Sequence, residues 1–163
     1  MEVKLNAIVL LFGIVCTGLT AGLCFTWHNA VTPGIGLLDD LSFLKSFQAM
    51  NRAIINKTFL IVFFSPTLLL FLSAYLFKEH SVSFWLILSA AVLFLVGMTL
   101  VTIFGNVPLN EILDKVDLET LSKVELETLR QKFEQPWNQW HTIRTVSAVT
   151  SFILLLIGLV SIK

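Results

Sequence analysis

Four apolar runs, at residues 5–27, 58–77, 84–104 and 142–162, constrain this chain more than any other feature. None contains an acidic residue, and only the fourth holds a basic one, Arg144 near its start. A helix rises about 1.5 Å per residue, so about 20 such residues cross a hydrocarbon layer of about 30 Å. Composition agrees: 56% of residues are hydrophobic and 13% are charged, against roughly 25% charged in ordinary soluble domains. The predicted fold is all-α, a four-helix transmembrane bundle with an amphipathic helix and a short polar helical cap on one side. It forms one membrane domain over residues 1–163, an integral multi-pass protein of the cell membrane. The formal net charge is zero and no basic block occurs, which argues against nucleic acid as a partner. The first run follows Lys4 as a secretory signal would, but it is too long and lacks a convincing cleavage pattern, so it reads as a retained span.

The two cysteines, Cys16 and Cys24, both lie in this first run. Eight helical residues separate them by roughly 12 Å, beyond disulfide reach. No Cys-x-x-Cys occurs, which disfavours dithiol–quinone exchange.

An even number of spans puts both termini on one side, side A, together with the short turn at 78–81. Side B receives the connections 29–57 and 105–141. The basic residues do not assign an orientation: side A packs Lys4, Lys78 and Lys163 into little chain, while those of side B are accompanied by acids. In the first connection, Thr32-Pro33-Gly34 reads as a turn. An amphipathic helix is predicted over about 38–55, with Phe43, Phe47, Met50 and Ile54 on one face. Lys45, Gln48, Arg52 and Asn56 gather opposite, with Asn51 at the border. In the second, Asn106 reads as a cap and Pro108 as part of a first helical turn. Glu111 with Lys115 and Glu119 with Lys123 have ion-pair spacing, and Ser122 with Glu125 has capping-box spacing. Pro136 is expected to stop the helix carrying Leu126, Leu129 and Phe133. Gly18 and Gly22 form a G-x-x-x-G that predicts a packing face, and Ser65-Pro66 predicts a kink in the second span. Bundle packing explains the glycines without any dimer, and the sequence is silent on a homo-oligomer.

Polar residues collect at side B. Trp27, His28 and Asn29 end the first span; Gln48, Asn51 and Arg52 precede the second. Asn106 and Asn110 follow the third, and Trp140, His141 and Arg144 open the fourth. Taken singly, each has an ordinary explanation: an aromatic belt for the tryptophans, snorkelling for Arg144, loop hydrogen bonds for the amides. Their convergence on one end resembles a pocket with a few polar groups at its mouth. Trp-His occurs twice, at 27–28 and 140–141. There is no His-x-x-x-His, no Glu-x-x-His and no carboxylate within a span, so metal or haem ligation is not expected. No Ser-His-Asp grouping or phosphate-binding loop is visible.

The run Phe47-Gln48-Ala49-Met50-Asn51-Arg52, then Asn106-Val107-Pro108-Leu109-Asn110, then Trp140-His141-Thr142-Ile143-Arg144-Thr145 resembles the anthrone oxygenase-like family of small four-span membrane proteins. The resemblance covers nearly the whole chain. It implies oxidation of an anthrone to an anthraquinone by molecular oxygen, with no metal or flavin cofactor. Under that implication, Trp27 and Trp140 would stack on a flat substrate. His28 or His141 would take a proton, and Arg52 or Arg144, with Gln48, Asn51, Asn106 and Asn110, would hold the oxyanion. The competing expectations are a non-enzymatic lipid- or quinone-binding protein using the same pocket, and a small transporter. Transport is disfavoured because only Ser, Thr and Cys lie in mid-span. The partners expected are the lipid bilayer and a hydrophobic small molecule.

Overall fold

The computed structural model describes residues 5–162, leaving the side-A cations Lys4 and Lys163 outside the description. Among the described residues there are five long helices and no strand: α1 (Leu5–Gly36), α2 (Asp40–Ile54), α3 (Lys57–Leu76), α4 (Ser81–Asp114) and α5 (Lys123–Val160). All but α2 are long and apolar enough to cross a membrane, so the chain is a multi-pass, all-α membrane protein. Each span packs on its chain neighbour, and α1 closes the ring against α5. Between the spans the core is Leu10, Phe63, Leu70, Ile87, Phe94 and Leu155, with alanines between them.

Lipid supplies no hydrophobic drive between spans, so close approach must come from small residues. Gly18 does this, since a Cβ there would stand 2.9 Å from the Phe152 ring, but Gly22 has no neighbour within 4 Å and leaves the G-x-x-x-G half used. The tighter seam joins α4 to α5. Gly97 faces Ser147 with no room for a Cβ, and one at Gly105 would meet Trp140 at 2.7 Å. Several buried hydroxyls turn back on their own helix, as Thr17 on Gly13 at 2.7 Å and Thr102 on Met98 at 2.8 Å. That satisfies each group where no water can.

Helices α1, α4 and α5 have 32, 34 and 38 residues, roughly 50 Å or more, against about 30 Å of hydrocarbon. The excess projects on side B and carries a second core of Phe43, Phe47, Leu113, Leu118, Phe133 and Trp137. Arg130 locks this head together. Its guanidinium lies 4.3 Å above the Phe43 ring, donates to the carbonyls of Gly36 and Leu38 at 2.7 and 2.8 Å, and pairs with Asp40 and Glu134. The Ser122–Glu125 capping box forms at the start of α5, and the Ser122 hydrogen bonds hold the Glu125 carboxyl below its ordinary range.

Several local expectations are corrected. Thr32-Pro33-Gly34 is helical, Asn106 caps nothing, and Pro136 lies inside α5 without stopping it. Two wide turns with five-residue hydrogen-bond spacing explain the first pair. Trp27–Val31 precedes Pro33 by two residues and Thr102–Asn106 precedes Pro108 by two. A proline ring clashes with the carbonyl four residues back; here that carbonyl belongs to Asn29 or Phe104, each inside a widened turn. At Pro136 the freed carbonyl is that of exposed Lys132, where water can reach it. Neither predicted four-residue ion pair forms among the described residues. Lys115 sits at the end of α4, and Glu119, in a separate short turn, pairs with Lys45 of α2 instead. Pro66 is buried within α3 and does not end it.

Candidate functional site

Between the head and the four spans lies a cavity of about 290 Å³, near the lower bound of roughly 300 Å³ for small-molecule pockets. Its walls are mostly apolar: Trp27 from α1, Phe47 from α2, Phe59 and Phe63 from α3, Met98 from α4 and Trp137 from α5. One side of the mouth is polar, with Asn51, Arg52, Asn110, Glu111, Asp114 and Lys115. Deeper on the α5 wall stand His141 and Arg144.

The α5 wall is built by helical spacing. Trp137, His141 and Arg144 follow at steps of four and three, which puts them on one face. Trp137 and His141 stack with ring centres 4.9 Å apart, and the Arg144 guanidinium carbon lies 5.0 Å from the Trp137 ring centre. Arg144 Nε donates to His141 Nδ1 at 2.8 Å, while His141 Nε2 lies 3.2 Å from the Cys24 carbonyl. The arginine can only donate and the carbonyl can only accept, so the ring is neutral with its proton on Nε2. Thr145 returns its hydroxyl to the His141 carbonyl at 2.7 Å. Arg144 has no carboxylate within ion-pair distance among the described residues. Its Nε is engaged, and its two terminal nitrogens form no hydrogen bond to the described residues.

A second polar chain positions Trp137. Its indole N–H donates to Asn110 Oδ1 at 2.8 Å, and Asn110 Nδ2 donates to Asn51 Oδ1 at 2.9 Å. Asn106, fully buried, donates to the Trp137 carbonyl at 3.1 Å, and its own Oδ1 has no partner. The Trp27 indole nitrogen, also buried, is likewise unpartnered among the described residues.

The structure thus brings Trp27, Asn51, Arg52, Asn110, His141 and Arg144 to one cavity. It puts Gln48, Asn106, Trp140 and His28 elsewhere. Gln48 donates to the carbonyls of Leu113 and Val116 at 2.8 and 3.0 Å, tying down the end of α4. Trp140 faces outward, 41% exposed, over Gly105. His28 is exposed, although its ring centre is 6.0 Å from that of His141. Arg52 is held at the rim by Asp114, at 2.6 Å from its side chain. Trp137 escaped the sequence reading although the signal was present: Phe133, Trp137, His141 and Thr145 recur every four residues and all are buried.

The family model for anthrone oxygenase matches residues 48–154. The match runs from α2 into the last third of α5 and takes in every cavity wall except α1 and Phe47. No curated protein and no solved structure matches the chain.

Proposed function

The chain belongs to the anthrone oxygenase family, and on that premise we propose that it oxidises a hydrophobic hydroxy-aromatic of the anthrone type with molecular oxygen, in the cell membrane. The observation that carries this reading is Arg144, a cation without a carboxylate partner among the described residues, facing an apolar, aromatic-walled cavity. In a water-poor site a fixed guanidinium favours the ionised form of a bound hydroxyl. Ionisation makes the ring carbanion-like, and that carbon can react with oxygen directly. A C–O bond forms to give a hydroperoxide, the remaining hydrogen on that carbon leaves as a proton, the O–O bond breaks, and water departs. The CH₂ becomes C=O, one oxygen atom stays, the other leaves as water, and the substrate supplies all four electrons.

Within this scheme Arg144 holds the oxyanion, and Trp27 and Trp137 form the apolar bed for the rings. His141 has both ring nitrogens engaged and is a positioning residue: it fixes the guanidinium and takes no proton while that bond lasts. The departing proton has a receiver in Glu111, which lines the mouth and has no ion-pair partner among the described residues. Arg52, with Asn51 and Asn110, frames the mouth.

The test is turnover of an anthrone by the purified chain in vesicles, followed by quinone absorbance and oxygen uptake. The expected result is one oxygen consumed per quinone, well above the uncatalysed rate; equality with that rate refutes the reading. The engagement of both His141 nitrogens also favours a second reading, binding of a quinone or lipid without chemistry. Saturable binding with no turnover would select it.

A further inference from the structure

The cavity rim has two unlike halves. One half is charged and held across by a link between α2 and α4. Arg52 Nε meets the Asp114 carboxylate at 2.6 Å, and a second guanidinium nitrogen reaches the Asp114 carbonyl at 3.3 Å. Glu111 and Lys115 stand beside it, both exposed. The other half is apolar. Ile55 and Val107, at 63% and 36% exposed, line the cavity with Phe59 just inside them. Ile55 lies two residues before the start of α3, and Val107 immediately follows the wide turn Thr102–Asn106 of α4. These positions border the side-B ends of the apolar runs 58–77 and 84–104.

The wall between α3 and α4 is also weakly tied there. Among the described residues one side-chain hydrogen bond joins the two helices, Thr67 to Thr99 at 3.0 Å. It lies further into the membrane than the rim, and no side-chain hydrogen bond bridges the helices from there to Ile55 and Val107. A flat apolar molecule crossing the charged half would have to strip water from a paired arginine and carboxylate. At the apolar half it exchanges one hydrocarbon contact for another.

From this we infer that the cavity fills from the bilayer, through a side portal between α3 and α4 rimmed by Ile55, Phe59 and Val107. Its ligand is a compact planar hydroxy-aromatic dissolved in lipid, in keeping with a cavity of about 290 Å³ at the small end of the roughly 300–1,000 Å³ range of small-molecule pockets. The inference rests on the aromatic-ligand reading above but adds the route and the phase from which the ligand comes.

The experiment uses the full chain in vesicles, with Trp85 and Trp140 replaced by phenylalanine so that emission comes from the cavity residues Trp27 and Trp137. The probe is 1,8-dihydroxyanthraquinone, already oxidised and so unable to turn over, delivered preloaded in acceptor vesicles. Ile55→Phe with Val107→Phe narrows the portal and should slow quenching at least tenfold. Ile55→Ala with Val107→Ala widens it and should accelerate quenching, which keeps the test decisive if the bulky pair fails to fold. A sulfonated analogue, confined to water, should quench far more slowly than the lipid-delivered probe. Quenching of normal amplitude at a rate indifferent to both pairs would overturn the portal alone. No quenching in the unaltered protein would overturn both the portal and the aromatic-ligand reading.

Discussion

Trp27-His28 and Trp140-His141 repeat the same two residues at the same end of the bundle, and the fold uses them in opposite ways. In α1 the tryptophan turns into the cavity and the histidine lies exposed. In α5 the histidine is buried to 1% exposure and the tryptophan turns out. Neighbours on a helix point about 100° apart, so the two members of each pair meet different surroundings. What selects the member is the rest of the face. On α5 the inward indole is already supplied by Trp137, four residues before His141, so the period hands the next inward place to the imidazole. On α1 no such residue precedes Trp27, and its own indole packs on Trp137 and Phe47, each with ring centres at 6.2 Å. A repeated dipeptide is therefore no sign of repeated function; its place in the stripe is.

The largest effect that separates the two pairs should come from the group His141 holds. Arg144→Leu is expected to lower kcat/KM for anthrone oxidation about 10²–10³-fold, the usual loss when one oxyanion donor is removed, with folding retained. A variant as active as the parent would reduce the α5 pair to packing. Next, His141→Ala should destabilise the protein by about 2–4 kcal/mol, because it opens a void and strands Arg144. His28→Ala should stay within about 0.5 kcal/mol, as exposed sites do. Equal shifts in thermal unfolding for the two histidines would break the comparison outright. Trp137→Phe deletes the donor to Asn110 and should cost about 1–2 kcal/mol, whereas Trp140→Phe should cost less than about 0.5 kcal/mol; denaturant titration of the reconstituted variants reads both. A change at the outward tryptophan's seat should touch stability and leave turnover alone. A Cβ at Gly105 would stand 2.7 Å from the inner end of the Trp140 ring, so Gly105→Ala is expected to cost about 1–3 kcal/mol with turnover unchanged.

Much of this architecture was legible before any coordinates. The spans followed from length alone, because backbone groups in lipid leave the chain little choice but a helix. The amphipathic α2 followed from the steps between Phe43, Phe47 and Ile54, and the convergence of Trp27, Asn51, Arg52, Asn110, His141 and Arg144 followed from counting which end each span offers. What escaped was continuity. A stop at Pro136 divides α5 in two and puts Trp137 in a connection, which hides the four-residue recurrence through His141. Local proline rules weigh the lost hydrogen bond; they do not weigh a head core containing Phe133 and Trp137, whose burial holds the helix together across the gap. Gln48 had two readings, a place at the pocket and loop hydrogen bonds, and the sequence does not choose between them. Its partners are the end carbonyls of α4, and their location depends on where α4 stops.

The widened turns of α4 also settle a matter of phase. Phe94, Met98, Thr102, Asn106 and Asn110 sit at a strict interval of four, and an ideal helix drifts about 40° at each such step, roughly 160° over the series. Asn110 would then look outward, away from Trp137 and Asn51. The turns at Phe94–Leu100 and Thr102–Asn106 hold more residues per revolution and absorb that drift, like a clutch slipping between two shafts. The membrane half and the head half of one helix, each with ordinary α-helical spacing, can thus keep a common bearing across the widened turns between them.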